Sequence, residues 1–136
     1  MYTEQLTGHH EKIWQLVKPL QQYKEAQAVK AQAREISLLV SKLSGILSIH
    51  LAAEDKYLYP ALLKDGDRKV RTTAEQFSRE MGQLASVYAA YKDKFMTASQ
   101  IEADPAGFLQ QNQKVLSALA NRLEREDREL YPLLKE

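Results

Sequence analysis

The chain has 136 residues, of which 44% are apolar, and 19 basic and 18 acidic residues give a net charge of +1. These values are typical of a soluble protein, and we expect a single domain over residues 1–136 with no nucleic-acid or membrane surface. The absence of cysteine excludes disulfides, thiolate catalysis and iron–sulfur or zinc–thiolate sites. No signal peptide and no run of about 18 apolar residues stands out, which predicts a cytoplasmic protein.

Four amphipathic segments follow one another, each with apolar residues three and four apart. They cover residues 3 to the low twenties, 26–63, 68–97 and 105 to the C-terminus. Pro19 is expected to loosen the last turn of the first helix. Asp65-Gly66-Asp67 ends the second, and Asp104 is placed to cap a fourth helix that starts at Pro105. Four such helices with short connections predict an all-α protein, an antiparallel up-down-up-down four-helix bundle.

One stretch occurs twice, as His50-Leu-Ala-Ala-Glu54-Asp-Lys-Tyr-Leu-Tyr-Pro60 and as Arg122-Leu-Glu-Arg-Glu126-Asp-Arg-Glu-Leu-Tyr-Pro132. In both copies the key polar residues stand four apart on a predicted helix, so they share one face. The first copy offers an imidazole and a carboxylate, which a divalent metal binds. The second offers a guanidinium and a carboxylate, which do not bind a metal as a pair. The repeat suggests two related helical hairpins.

The polar residues of the repeat continue the apolar face of their helices as if they were apolar themselves. His50 and Glu54 do so in the second helix, Arg122 and Glu126 in the fourth, and His10 in the first. A buried carboxylate is unfavourable unless a cation or good donors compensate it. Inward His and carboxylate groups on facing helices are how metal centres are built in four-helix bundles. We therefore predict that these five residues form one internal polar cluster.

The chain resembles the hemerythrin-like (HHE) cation-binding domains over essentially its whole length. The resemblance rests on His10 in His-Glu-Lys-Ile, on His50-x-x-x-Glu54 followed by Leu58-Tyr59-Pro60, and on Leu130-Tyr131-Pro132. It implies a non-haem diiron centre held between four helices, and the binding or sensing of oxygen, nitric oxide or iron. The metal ligands that it implies here are His10, His50, Glu54 and, as the carboxylate of the fourth helix, Glu126 or Asp127.

Two positions depart from the family pattern. Met81 stands where the family has a His on the third helix, and Arg122 stands where it has a His on the fourth. The chain has only three His in total, His9, His10 and His50, which is fewer than the family's diiron centre needs. A diiron centre is therefore not expected.

Two interpretations of the polar cluster remain. In the first, a single divalent metal, with iron favoured, is bound by His10, His50, Glu54 and Glu126, and the protein senses oxygen, nitric oxide or iron. The guanidinium of Arg122 argues against it, because a fixed cation repels the ion. In the second, no metal is bound: Arg122 pairs with Glu54 and Glu126, and Met81 fills space. The second explains both departures and is favoured; it predicts a non-enzymatic sensing, regulatory or binding protein in which Arg122 partly replaces the metal.

Less specific roles fit some of the same residues. Periodicity does not separate His9 from His10, and His9 is expected to be the exposed neighbour. Asp55 and Asp127 are expected to face solvent or cap nearby groups. His50 would have to be exposed if the protein were a histidine phosphotransfer module. The tyrosines are expected to pack rather than to form a redox set; they are Tyr57, Tyr59, Tyr88, Tyr91 and Tyr131.

An enzyme is not expected, because the sequence has no cysteine, serine triad or glycine-rich phosphate loop. A regulatory protein would instead need an outer surface for a second copy of the chain or for another protein. The aromatic end of the third helix is the candidate for such a surface, with Phe77, Tyr88, Tyr91 and Phe95.

Overall fold

The computed structural model describes residues 2–135, which are 90% helical and contain no strand. The all-α class predicted from the periodicity is confirmed. In the described residues the α-helices are α1 Tyr2–Gln21, α2 Ala26–Ala31, α3 Ala33–Ala53, α4 Tyr59–Leu63, α5 Arg68–Phe95, α6 Ala98–Ala103 and α7 Pro105–Arg125. A π-helical turn follows α3 at Glu54–Leu58 and another follows α7 at Glu126–Leu130, before a 3-10 turn at Tyr131–Leu133.

Side-chain caps fix two of the helix starts. Asp67 accepts a hydrogen bond from the Lys69 backbone N–H at 2.8 Å, and α5 begins directly after it. Asp104 accepts one from Gly107 N–H at 3.0 Å, so α7 begins at Pro105 as predicted. These caps satisfy backbone donors that lack a partner inside the helix.

The second and third predicted helices are more divided than the sequence suggested. Gln32, with φ −114° and ψ 26°, separates α2 from α3, although periodicity continues through it. The third predicted helix, residues 68–97, ends as α5 at Phe95, and the unpredicted helix α6 starts after Thr97, because Thr97 and Gln100 form a capping box. Pro19 does not end α1, which continues to Gln21.

The interior consists of two apolar clusters with the polar cluster between them. His10 lies between Leu6 of one apolar cluster and Ile13 of the other. His50 and Glu54 lie in the same way between Leu47 and Leu58. Helix α1 packs against α3 and α7, and α5 packs against α3, α4 and α7. The polar cluster is therefore enclosed by four helical segments and by apolar layers on two sides.

One helical stretch is longer and more apolar than expected, since no run of about 18 apolar residues was predicted. The stretch Ala33–Leu63 is long and apolar enough, by length and composition, to cross a membrane. The core helix of a water-soluble protein meets the same criterion, so this is weak evidence for a membrane. In this protein the stretch carries His50 and Glu54, which are buried against other helices.

A second buried polar site, away from the polar cluster, joins three segments. Asn112 is fully buried; its amide donates to the Leu20 carbonyl at 2.9 Å, and its Oδ1 accepts from the Tyr91 hydroxyl at 2.8 Å. The amide thus satisfies a carbonyl at the end of α1, where the helical hydrogen bonds run out. Helical periodicity alone did not single out this residue.

We expect Asn112→Ala to lower the free energy of unfolding by about 1–3 kcal/mol, because it leaves a buried hydroxyl and a buried carbonyl without partners. Urea denaturation monitored by circular dichroism measures this change. Gln113→Ala, on the exposed side of the same helix, is the control and should change stability by less than about 0.5 kcal/mol. Equal effects of the two substitutions would contradict the assigned role of Asn112.

Candidate metal centre

Four of the predicted site residues meet at one point in the interior. One ligand atom from each of His10, His50, Glu54 and Glu126 lies within 4.8 Å of the others, and all four side chains are buried. We call these four residues the ligand set. They come from α1, α3 and the first residue of each π-helical turn.

The imidazoles and carboxylates of the ligand set point toward one another. His10 Nε2 lies 2.9 Å from Glu126 Oε1 and 3.2 Å from His50 Nε2. His50 Nε2 lies 3.3 Å from Glu54 Oε2 and 3.4 Å from Glu126 Oε1. Convergent imidazole nitrogens and carboxylate oxygens are the donors that Fe(II), Mn(II) and Zn(II) accept.

The second nitrogen of each imidazole is held by an outer partner. His10 Nδ1 lies 3.0 Å from Asp127 Oδ1, and His50 Nδ1 lies 3.2 Å from His9 Nδ1. Such outer contacts fix the orientation and tautomer of metal-binding His residues, with Nε2 left to face the ion. Asp127 is 42% exposed, as expected, but it also orients His10. His9 is half-buried against His50, so the expectation of an exposed neighbour was wrong.

Tyr131 reaches the centre of the ligand set, which the sequence analysis missed. Its hydroxyl lies 2.7 Å from Glu54 Oε2, 2.9 Å from His10 Nε2, 3.0 Å from Glu126 Oε1 and 3.2 Å from His50 Nε2. The side chain is buried, with 2% exposure. The prediction that this tyrosine serves only packing was therefore incomplete.

The π-helical turns explain how the tyrosines arrive there. The backbone N–H of Tyr131 bonds to the Glu126 carbonyl, and that of Tyr59 bonds to the Glu54 carbonyl, five residues earlier in each case. In a π-turn, residues five apart lie above each other, whereas in an α-helix they diverge. The proline after each tyrosine lacks an N–H and interrupts the α-helical ladder at this point.

Arg122 binds the far side of Glu126. Its Nε donates to Glu126 Oε2 at 2.8 Å, and its Nη2 donates to the Tyr59 hydroxyl at 2.8 Å and to the Phe77 carbonyl at 2.9 Å. The guanidinium also lies 4.6 Å from the centre of the Phe77 ring. The expected pairing with Glu126 is present. The expected pairing with Glu54 is not found among the described residues, where Glu54 instead contacts His50 and Tyr131.

The two copies of the repeat exchange their tyrosines. Tyr131 of the second copy contacts His50 of the first, and Tyr59 of the first copy contacts Arg122 of the second. His50 and Arg122 are equivalent in the repeat. The centre therefore has two equivalent halves, one with imidazoles and one with a guanidinium.

Met81 makes no polar contact in the part of the chain that the structure describes. It is 9% exposed and lines a cavity of about 160 Å³ between α3 and α5, together with Leu47, Leu84, Tyr88 and Leu119. The side chain thus occupies apolar space, as the sequence analysis expected of a flexible thioether.

The charges in the centre are compensated unevenly. Burial acts to lower the pKa of His50, but hydrogen bonds to Glu126 and Glu54 and their charges raise it to about 9. Burial acts to raise the pKa of Glu126, yet hydrogen bonds from His10 and His50 and the charge of Arg122 hold it well below its usual range. Burial raises the pKa of Glu54, because His50 offsets only part of that effect and the charge of Glu126 adds to it. Glu54 is thus the carboxylate that lacks a full counter-charge.

The residues present fit a bound cation. Glu54 Oε1 is buried and has no hydrogen-bond partner among residues 2–135. An unpaired buried carboxylate oxygen beside two imidazoles is what a metal ion would satisfy. Arg122 Nη1 is also unpaired there, but it lies 3.9 Å from Glu80 at the outer edge.

Two other roles considered from the sequence do not agree with the structure. His50 is 2% exposed, so it is not accessible for phosphotransfer from a partner. In the aromatic surface predicted for docking, Tyr88 is half-buried, and Phe77, Tyr91 and Phe95 belong to the core at 1–2% exposure. These residues are spaced along α5 as on the inward face of a helix. Periodicity alone did not distinguish this inward face from an exposed docking surface.

We expect Arg122→Ala to destabilise the metal-free protein by about 3–5 kcal/mol, because it removes the cation from a buried carboxylate. Urea denaturation of chelator-treated protein measures this change in the free energy of unfolding. Arg125→Ala is the control: Arg125 pairs with Glu80 and Glu129 near the surface and should contribute about 0.2–1 kcal/mol. An effect of Arg122→Ala no larger than that of the control would contradict an internal counter-charge.

Comparison with known proteins agrees with the geometry of the site. The family model of the hemerythrin HHE cation-binding domain matches residues 1–134. No curated protein and no solved structure gives a significant match. The family model spans nearly the whole chain, and the inward His and Glu residues form a cluster that could bind metal. The chain therefore belongs to the hemerythrin HHE cation-binding domain family.

Proposed function

We propose that the protein binds a single metal ion, with iron favoured, through the ligand set, and that Arg122 takes the place of a second cation. The observation that carries this proposal is the buried Oε1 of Glu54, which has no partner in the described chain beside two convergent imidazoles. Two imidazoles with carboxylates are a common donor set of non-haem Fe(II) proteins. This is the first of the two interpretations drawn from the sequence.

The position of Arg122 supports one ion rather than two. Glu126 presents Oε2 to the guanidinium and Oε1 to His10 and His50, so it links the two halves of the centre. A bridging carboxylate between two cations would have the same arrangement. The guanidinium already neutralises one side of Glu126, and its charge would repel a second divalent ion.

The metal-free interpretation, which the sequence favoured, has less support from the contacts. It required Arg122 to compensate both carboxylates, whereas the contacts of Glu54 go to His50 and Tyr131. Without a cation, the buried Oε1 of Glu54 remains unpaired among the described residues. A degenerate centre that serves only folding would be expected to satisfy this oxygen.

We further propose that the bound metal serves sensing or regulation rather than catalysis. Bound iron would supply a redox-active centre able to report on oxygen, nitric oxide or iron supply. The support is the enclosure of the ligand set by apolar layers, which leaves little room for a larger substrate. A cytoplasmic location and a homodimer or other protein partner remain predictions from the sequence.

We also propose the antiparallel up-down-up-down arrangement for the four long helical segments. Short connections support it, since residues 22–25 and 64–67 join successive segments. The packing of α1 on α3 and α7, and of α5 on α7, agrees with this order.

We expect protein purified without chelator to contain one metal ion per chain, because the described residues hold one such ligand set. Elemental analysis measures it. Glu54→Ala should lose the metal, since it removes the carboxylate with the unpaired oxygen. Asp55→Ala, which changes the adjacent exposed carboxylate, is the matched control and should retain it. Folded wild-type protein that takes up neither Fe(II), Mn(II) nor Zn(II) would contradict the proposal and favour the metal-free interpretation.

A further inference from the structure

Among residues 2–135, the hydroxyl of Tyr131 is the one group within hydrogen-bond distance of all four residues of the ligand set. Its oxygen lies 2.7–3.2 Å from one atom of each of the four residues. We propose that Tyr131 is a fifth metal ligand, which binds through its phenolate oxygen and makes the centre a ferric iron site. This inference rests on the proposed metal-binding function.

Hydrogen bonding alone does not account for the position of this hydroxyl. A phenol has one proton to donate and lone pairs to accept with. Tyr131 lies 2.7 Å from Glu54 Oε2 and 3.0 Å from Glu126 Oε1, and its single proton satisfies only one of these carboxylate contacts. The phenol therefore supplies no proton for the other contact. A cation shared by the three oxygens would hold them together without that proton.

The donors agree with a trivalent ion. Two carboxylates and one phenolate provide three anionic oxygen donors, and His10 and His50 add two neutral nitrogens. Tyrosinate is an established ligand of ferric iron in proteins. On binding, the O–H bond of Tyr131 breaks, its oxygen bonds to the iron and the proton passes to solvent, as does the second ring proton of any ligand imidazole that is protonated in the metal-free protein. Iron supplied as Fe(III) stays ferric, so the step needs no oxidant.

The repeat provides a matched control for this tyrosine. Tyr59 occupies the equivalent position in the first copy and is also buried, at 5% exposure. Its hydroxyl accepts from Arg122 Nη2 at 2.8 Å. The guanidinium already provides the cation in that half of the centre, so Tyr59 should not bind metal.

The test is to add ferric citrate to metal-free wild-type, Tyr131→Phe and Tyr59→Phe proteins and to record visible absorption. A tyrosinate bound to Fe(III) gives an intense phenolate-to-iron charge-transfer band. We expect the band in wild type and in Tyr59→Phe, and its loss in Tyr131→Phe. Competition with citrate should also show ferric binding weakened by about 10- to 100-fold in Tyr131→Phe.

Two results would overturn this inference. One is stoichiometric iron in wild type with no charge-transfer band, which would leave the proposed metal binding intact. The other is a band that persists in Tyr131→Phe or disappears in Tyr59→Phe. Uptake of no metal by wild type would instead contradict the proposed function itself. Resonance Raman spectra of the wild-type protein detect tyrosinate vibrations directly, so the test stands even if the Phe variant does not fold.

Discussion

Glu126 is held on both of its oxygens inside the protein, and the arrangement of the centre depends on this. Arg122 holds Oε2 at 2.8 Å, while His10, His50 and Tyr131 surround Oε1 at 2.9–3.4 Å. These contacts join α1, α3, α7 and the C-terminal turns around one carboxylate. A buried carboxylate would destabilise the fold without such partners. The same contacts that stabilise the helices therefore orient the ligand set.

The repeat gives the centre two equivalent halves with different polar side chains. Each half has a carboxylate at the start of a π-helical turn and a tyrosine supplied by the other copy. In one half, His50 and His10 provide the imidazole nitrogens that we propose bind the metal. In the other, Arg122 provides a fixed charge that cannot be removed by chelation or change of redox state.

Much of this centre could be predicted from periodicity. His10, His50 and Glu54 continue apolar faces, and only inward positions allow that pattern in a helical protein. The role of Tyr131 was not predicted, because five residues along an ideal α-helix it would point away from Glu126. The π-turn restores the alignment, and the Tyr-Pro pair in both copies was the available signal. The break at Gln32 left no such signal, since no Gly, Pro or capping side chain marks it in the sequence.

Anomalous diffraction at the iron absorption edge, on crystals of iron-loaded protein, would locate bound iron relative to Arg122. We expect one anomalous peak, bounded by His10, His50, Glu54 and Glu126, with the guanidinium of Arg122 still bound to Glu126 Oε2. Two peaks, with Arg122 displaced from Glu126, would show that the guanidinium does not take the place of a cation. No peak, with the side chains unchanged, would show that the polar cluster is complete without metal.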